Sequence, residues 1–127
     1  MENHSFDVGQ YWQAVARQDK DALAAYFWAD AKVYWHCTNE AFSLDGFLRA
    51  NCEYPGQWAA QVGRVHWMGD SLVAAAHVYA LDGPLSCHVV SFFKLEGGKI
   101  LQLDEYWGDD GPPPAWRQGM QISRRFL

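Results

Sequence analysis

Between Trp58 and Trp107 the chain offers almost nothing but strand. Four apolar-rich segments, Trp58 to Met68, Leu72 to Leu81, Leu85 to Leu95 and Ile100 to Trp107, are separated only by Gly69-Asp70, Asp82-Gly83-Pro84 and Gly97-Gly98. Turns this short join neighbouring strands of an antiparallel meander, and no helix fits between them. A sheet of that size has an apolar face to bury, and only the first half of the chain can supply the cover.

That half reads as helical. Phe6, Tyr11, Trp12, Val15 and Ala16 recur on one face of a predicted helix over residues 6–17. Asp19 is a candidate cap for a second helix through Phe27, and Ser43 for a third carrying Phe47, Leu48 and Asn51. Between them residues 31–37 alternate Val33, Trp35 and Cys37 against Lys32, Tyr34 and His36, as a half-buried strand does. The expected architecture is α+β: three N-terminal helices packed on a curved antiparallel sheet, enclosing a pocket, in one domain spanning residues 1–127. A Pro-rich tail from about residue 109 is expected to cross the surface, pinned by Trp116.

A chain of 127 residues buries about two thirds of its unfolded surface without a disulfide or structural metal. Fifteen acidic against ten basic side chains, with no basic cluster before Arg124-Arg125, argue against nucleic acid as a partner. No apolar run reaches membrane-spanning length, and the N-terminus lacks the basic and apolar regions of a signal peptide. Cys37, Cys52 and Cys87 are odd in number and widely spaced, which predicts reduced, buried thiols and a cytoplasmic protein.

Because strand side chains alternate, phase decides which residues face inward. On the last strand Leu101, Leu103, Glu105 and Trp107 form the more apolar face, leaving Ile100, Gln102, Asp104 and Tyr106 outside. On the preceding strand Cys87, Val89, Ser91, Phe93 and Leu95 are predicted inward. The segment from Leu72 has two equally apolar faces. A three-residue Asp82-Gly83-Pro84 loop would pair His77 with Val89 and turn it toward Ser91. A two-residue Gly97-Gly98 turn would instead slip the last strand and bring Asp104 inward.

The order of elements, Asp30-Ala31-Lys32-Val33-Tyr34-Trp35 after a helical hairpin, and Gly98-Lys99-Ile100 running into Glu105-Tyr106-Trp107 resemble the SnoaL-like members of the nuclear transport factor two superfamily, which also contains ketosteroid isomerase. The resemblance spans nearly the whole chain and implies a cone-shaped fold that hosts isomerases, cyclases, dehydratases, hydrolases and non-enzymes. It implies that Tyr11 stands where the isomerase donates to its substrate oxygen, and Trp107 where it has a pocket tryptophan. The isomerase's base and its oxyanion-hole aspartate fall at Trp35 and Ser91, which argues against steroid isomerisation. Glu105 matches an acidic position of SnoaL-like cyclases.

The candidate site therefore comprises Glu105, His77 and Tyr11 as acid/base and polarising groups, with Trp35, Phe47, Asn51, Tyr54, Ser91, Phe93 and Trp107 as ligand-binding walls. Few polar groups on apolar walls suit a small hydrophobic ligand. Two readings stay open: acid/base chemistry on such a molecule, and a non-catalytic binding or dimerisation module in which Glu105 is a satisfied structural acid. Histidines 66, 77 and 88 are not expected to converge, adjacent His36 and Cys37 point apart, and Asp109 and Asp110 are given no role. No metal or organic cofactor is expected. Val90, Phe92, Ile100 and Tyr106 on the outer face predict a homodimer.

Overall fold

The computed structural model describes residues 6–126. Helix α1 (Val8–Arg17) starts at Asp7, whose carboxylate accepts from the Gln10 N–H, and ends at Gln18 in the left-handed conformation. Asp19 caps α2 (Lys20–Ala24) through the Ala22 N–H. This helix is shorter than expected. The backbone leaves it at Tyr26, whose carbonyl accepts from Ile100 N–H, so Phe27 opens strand β1 (Phe27–Trp35) instead of closing a helix.

The chain then turns through a short 3-10 segment, His36–Thr38, and Asn39 at φ 56° folds a four-residue edge strand, β2 (Glu40–Ser43), back onto β1. The sequence reading has no counterpart for β2 and extends the first strand over His36 and Cys37. Ser43 caps α3 (Leu44–Cys52) through the Gly46 N–H as expected. Strands β3 (Trp58–Met68), β4 (Ser71–Ala80), β5 (Ser86–Glu96) and β6 (Lys99–Asp109) follow. A short helix α4 (Ala115–Gln118) lies in the tail, where Trp116 is exposed instead of anchored as expected.

The six strands form one curved sheet in the order β2-β1-β6-β5-β4-β3. It is not wholly antiparallel: β1 runs parallel to β6, because the α3 and β3–β5 segments intervene between them. Helix α1 lies against β3, tied by Gln13 Nε2 donating to the Ala60 carbonyl at 3.2 Å. The core between helices and sheet collects Trp12, Leu23, Phe27, Val33, Phe47, Leu72, Val89, Phe93 and Leu103. Each such side chain contributes roughly 1.5–3 kcal/mol by leaving water.

Two register details position the site. The β5–β6 turn has two residues, Gly97 (φ 58°) and Gly98 (φ 82°), closed by the Glu96–Lys99 pair. That turn alone would bring Asp104 inward. A bulge at Leu101, where pairing shifts from Leu95–Ile100 to Lys94–Gln102, advances β6 by one residue and restores Leu103 and Glu105 to the core side. Ile100, before the bulge, is therefore buried and not on the outer face as predicted.

The second detail reverses an expectation. The β4–β5 loop holds four residues, since Ala80 N–H donates to Leu85 O while Leu81 N–H pairs away to Gln57 O. His77 then pairs with His88, not Val89, and Leu72, Ala74, Ala76 and Val78 take the inner face. One residue of loop length turned all of β4 over.

Candidate functional site

Glu105 lies in a row set by strand pairing, with Trp35 beside it on β1 and Ser91 on β5. The acid is 1% exposed. Both carboxyl oxygens are held from within that row: Trp35 Nε1 donates at 3.1 Å and Ser91 Oγ at 2.5 Å. Burial pushes the Glu105 pKa up to about 7, against the lowering pull of Ser91, Trp35 and Trp107. The Trp107 indole N–H acts on the carboxyl without completing a hydrogen bond of full geometry. Neighbouring Asp104 faces the other way, meeting His36 Nε2 at 2.9 Å.

Tyr11 is fully buried beside this row, its ring edge-on to Phe93 at 5.3 Å. Its hydroxyl has no hydrogen-bond partner among the described residues, and burial followed by the charge of Glu105 raises its pKa well above the usual range. A hydroxyl kept neutral in this way retains its proton and can donate it to an acceptor placed nearby.

Beside the carboxyl row, toward the ends of α1 and α3, a cavity of about 270 Å³ opens, at the small end of ligand pockets. Its walls are Val15, Ala16 and Gln18 from α1, Ala50 and Asn51 from α3, and Trp35, Trp58, Val78, Cys87 and Trp107 from the sheet. Exposed Cys37, Thr38, Tyr54 and Asp109 stand at its rim. Trp35 belongs to both places, lining the cavity while its indole N–H holds Glu105. Trp35 and Trp107 meet edge to face at 6.3 Å, so the acid sits one side-chain layer beneath the cavity.

Of the residues expected at the site, Trp35, Asn51, Tyr54 and Trp107 line the cavity. Ser91 and Tyr11 lie with Glu105 behind that wall, and Phe47 and Phe93 are core, Phe47 packing on Trp35 at 6.3 Å. Asn51 also works as a tie: its Nδ2 donates to Val15 O at 3.1 Å, while Gln18 Nε2 reaches back to Asn51 O at 2.9 Å and Tyr54 O at 2.6 Å. These bonds lock α1 to α3 and fix the cavity's helical side. His77 is a correction. The reversed phase of β4 puts it on the outer face, across the sheet from Glu105.

The sequence reading also missed wall residues. Trp58 closes the cavity from β3, where its indole N–H donates to Pro55 O at 3.1 Å. The cysteines are less buried than expected: Cys37 is exposed, Cys52 and Cys87 are half-buried, and all are free. Cys87 faces the cavity, and burial together with Asp109 and Asp110 pushes its thiol up to about 11. Asp110, given no role from sequence, accepts from Ser86 Oγ at 2.5 Å and contacts His88 Nδ1.

An α+β half-cone whose sheet and helices enclose a small aromatic cavity over a buried acid defines a pocket protein of the nuclear transport factor two type. The SnoaL-like domain profile matches residues 8–103, and the chain belongs to that family. Solved structures share the fold. A candidate ketosteroid isomerase from Kribbella flavida is 23% identical, with a TM-score of 0.74 over 92% of this chain and 84% of that one. An NTF-2 like protein of unknown function from Burkholderia xenovorans is 20% identical, with a TM-score of 0.74 over 94% of this chain and 92% of that one. An LEH-like epoxide hydrolase from M. tuberculosis is 17% identical, with a TM-score of 0.65 over 80% and 79%. No curated protein matches the chain. Among the described residues no helix is long and apolar enough to cross a membrane.

Proposed function

We propose that the protein binds a small, largely apolar molecule in the aromatic cavity and that Glu105 moves a proton on it, as an isomerase, cyclase or hydratase would. The observation that carries this reading is Glu105 itself: a fully buried carboxyl poised at about 7, bound to a tryptophan that is also a cavity wall. A carboxyl at that pKa is available in both protonation states near neutrality, which is what general acid/base catalysis requires. Proton transfer of this kind needs no cofactor. Tyr11, held neutral behind the wall, is the group we assign to polarise a ligand oxygen that reaches past Trp35. Solved structures that share the fold include ones described as a candidate ketosteroid isomerase and an epoxide hydrolase, which supports an enzymatic reading, while their low identity leaves the substrate open.

A second reading, binding without chemistry, draws on a different observation: both Glu105 oxygens are engaged and Trp35 covers them. One experiment separates the two. Parent and Glu105→Gln proteins are incubated with a panel of enolisable cyclic ketones, lactones and epoxides, with binding followed by quenching of tryptophan fluorescence. Acid/base catalysis predicts turnover of a bound panel member that falls at least about 100-fold in the variant while binding persists. Binding with no turnover of any panel member supports the second reading, and turnover unaffected by Glu105→Gln removes Glu105 from the chemistry.

We further propose a homodimer through the outer sheet face, supported by the exposed Val90, Phe92 and Tyr106, and a cytoplasmic location, supported by three free thiols.

A further inference from the structure

We propose that His77, His88 and Asp110 form a binding site for one divalent transition-metal ion of the zinc class on the outer face of the sheet. The site follows from the register that removed His77 from the cavity. His77 and His88 are direct partners across β4 and β5, and their rings stack at 4.7 Å and 8°. Beyond the end of β6, Asp110 N–H donates to Ser86 O at 2.9 Å, which anchors the aspartate over the same row. Its carboxylate accepts from Ser86 Oγ at 2.5 Å and meets His88 Nδ1, and His77 Nε2 lies 3.6 Å from Asp110 Oδ2.

One donor atom from each of the three residues falls within 4.8 Å of the others. A tetrahedral zinc with bonds of roughly 2.0–2.2 Å holds its donors about 3.3 Å apart. The His77–Asp110 separation already approaches that edge, the closer His88–Asp110 contact would have to open to it, and small rotations of these partly exposed side chains supply both changes. Two imidazoles and one carboxylate suit zinc, cobalt, nickel or copper and disfavour magnesium and calcium, which take oxygen donors. Ser86 Oγ, in contact with both His77 and Asp110, would hold the carboxylate in place as outer-shell partners do. Three protein ligands leave a fourth position to solvent. Without an ion, two imidazoles share one carboxylate and a serine, and that simpler network is what the test must exclude. The site is across the sheet from Glu105 and independent of the proposed acid/base role.

The test is calorimetric titration of untagged, chelator-treated protein with zinc chloride near neutral pH, repeated with cobalt to read its visible absorption. The expected result is saturable binding of one ion per chain, weakened at least about tenfold by His77→Ala, His88→Ala and Asp110→Asn and unchanged by His66→Asn. Circular dichroism and the metal-free unfolding midpoint establish that each variant folds. His88 is the most exposed of the three, so its variant stays informative if another fails to fold. Absence of saturable one-to-one binding, or equal affinity in parent and His88→Ala, overturns the proposal.

Discussion

Replacing Glu105 by glutamine should make the protein more stable at high pH, and the size of the gain can be worked out. The folded-state pKa of about 7 lies above the ordinary 4.5, so between these values the folded chain keeps a proton that the unfolded chain has lost. Stability must therefore fall as the pH rises through that window and stay lower above it. At 1.36 kcal/mol per pKa unit the loss between about pH 4 and about pH 8 is about 3 kcal/mol. Glutamine keeps the shape and titrates nowhere. Urea unfolding of both proteins across this range, with the difference taken at each pH, isolates the contribution of the one carboxyl. The variant should gain on the parent by about 3 kcal/mol from the acid to the alkaline end. Parallel curves would refute the reasoning, because they would mean that Ser91 and Trp35 hold Glu105 ionised at its ordinary pKa despite burial.

Ser91→Ala removes a bond that lowers the Glu105 pKa, so carboxyl-carbon NMR should find the group titrating above about 7 in that variant. Cys87, pushed to about 11 from 9.0, should alkylate about 100-fold more slowly than an ordinary thiol; peptide mass spectrometry should find Cys37 modified first, and a ligand in the cavity should protect it. Phe92→Glu on the outer face should convert the proposed dimer to a monomer by light scattering, without changing the folded secondary structure.

Much of this was legible in the chain because it depends on local chemistry. Asp19 and Ser43 cap the helices they were expected to cap, and Trp58–Met68 is a strand because its flanks permit nothing else. Glu105 could be faced inward because Leu103 and Trp107 share its side. What could not be read was register. His77 depended on whether the β4–β5 loop held three or four residues, and both faces of β4 are apolar, so hydrophobicity gave no vote. Glu105 faces the core side although the turn before it has two residues, because a bulge at Leu101 compensates, and no residue type there announces it. The convergence of His77, His88 and Asp110 was invisible for the same reason: their spacing has no motif, and only strand pairing and the Ser86–Asp110 backbone bond bring them together. Strand β2 was missed because its four residues are too few to show alternation.

The central claim is that Glu105 reaches what the cavity binds. A crystal structure of the protein soaked with a small cyclic ketone tests it directly. The account predicts the ring among Trp35, Trp58 and Trp107, with the Trp35 indole moved off the carboxyl and the ketone oxygen within about 2.6–3.2 Å of Glu105 or Tyr11. A ketone held in the cavity while Trp35 still bonds Glu105 and seals it away would contradict the account and leave a pocket that binds without reacting.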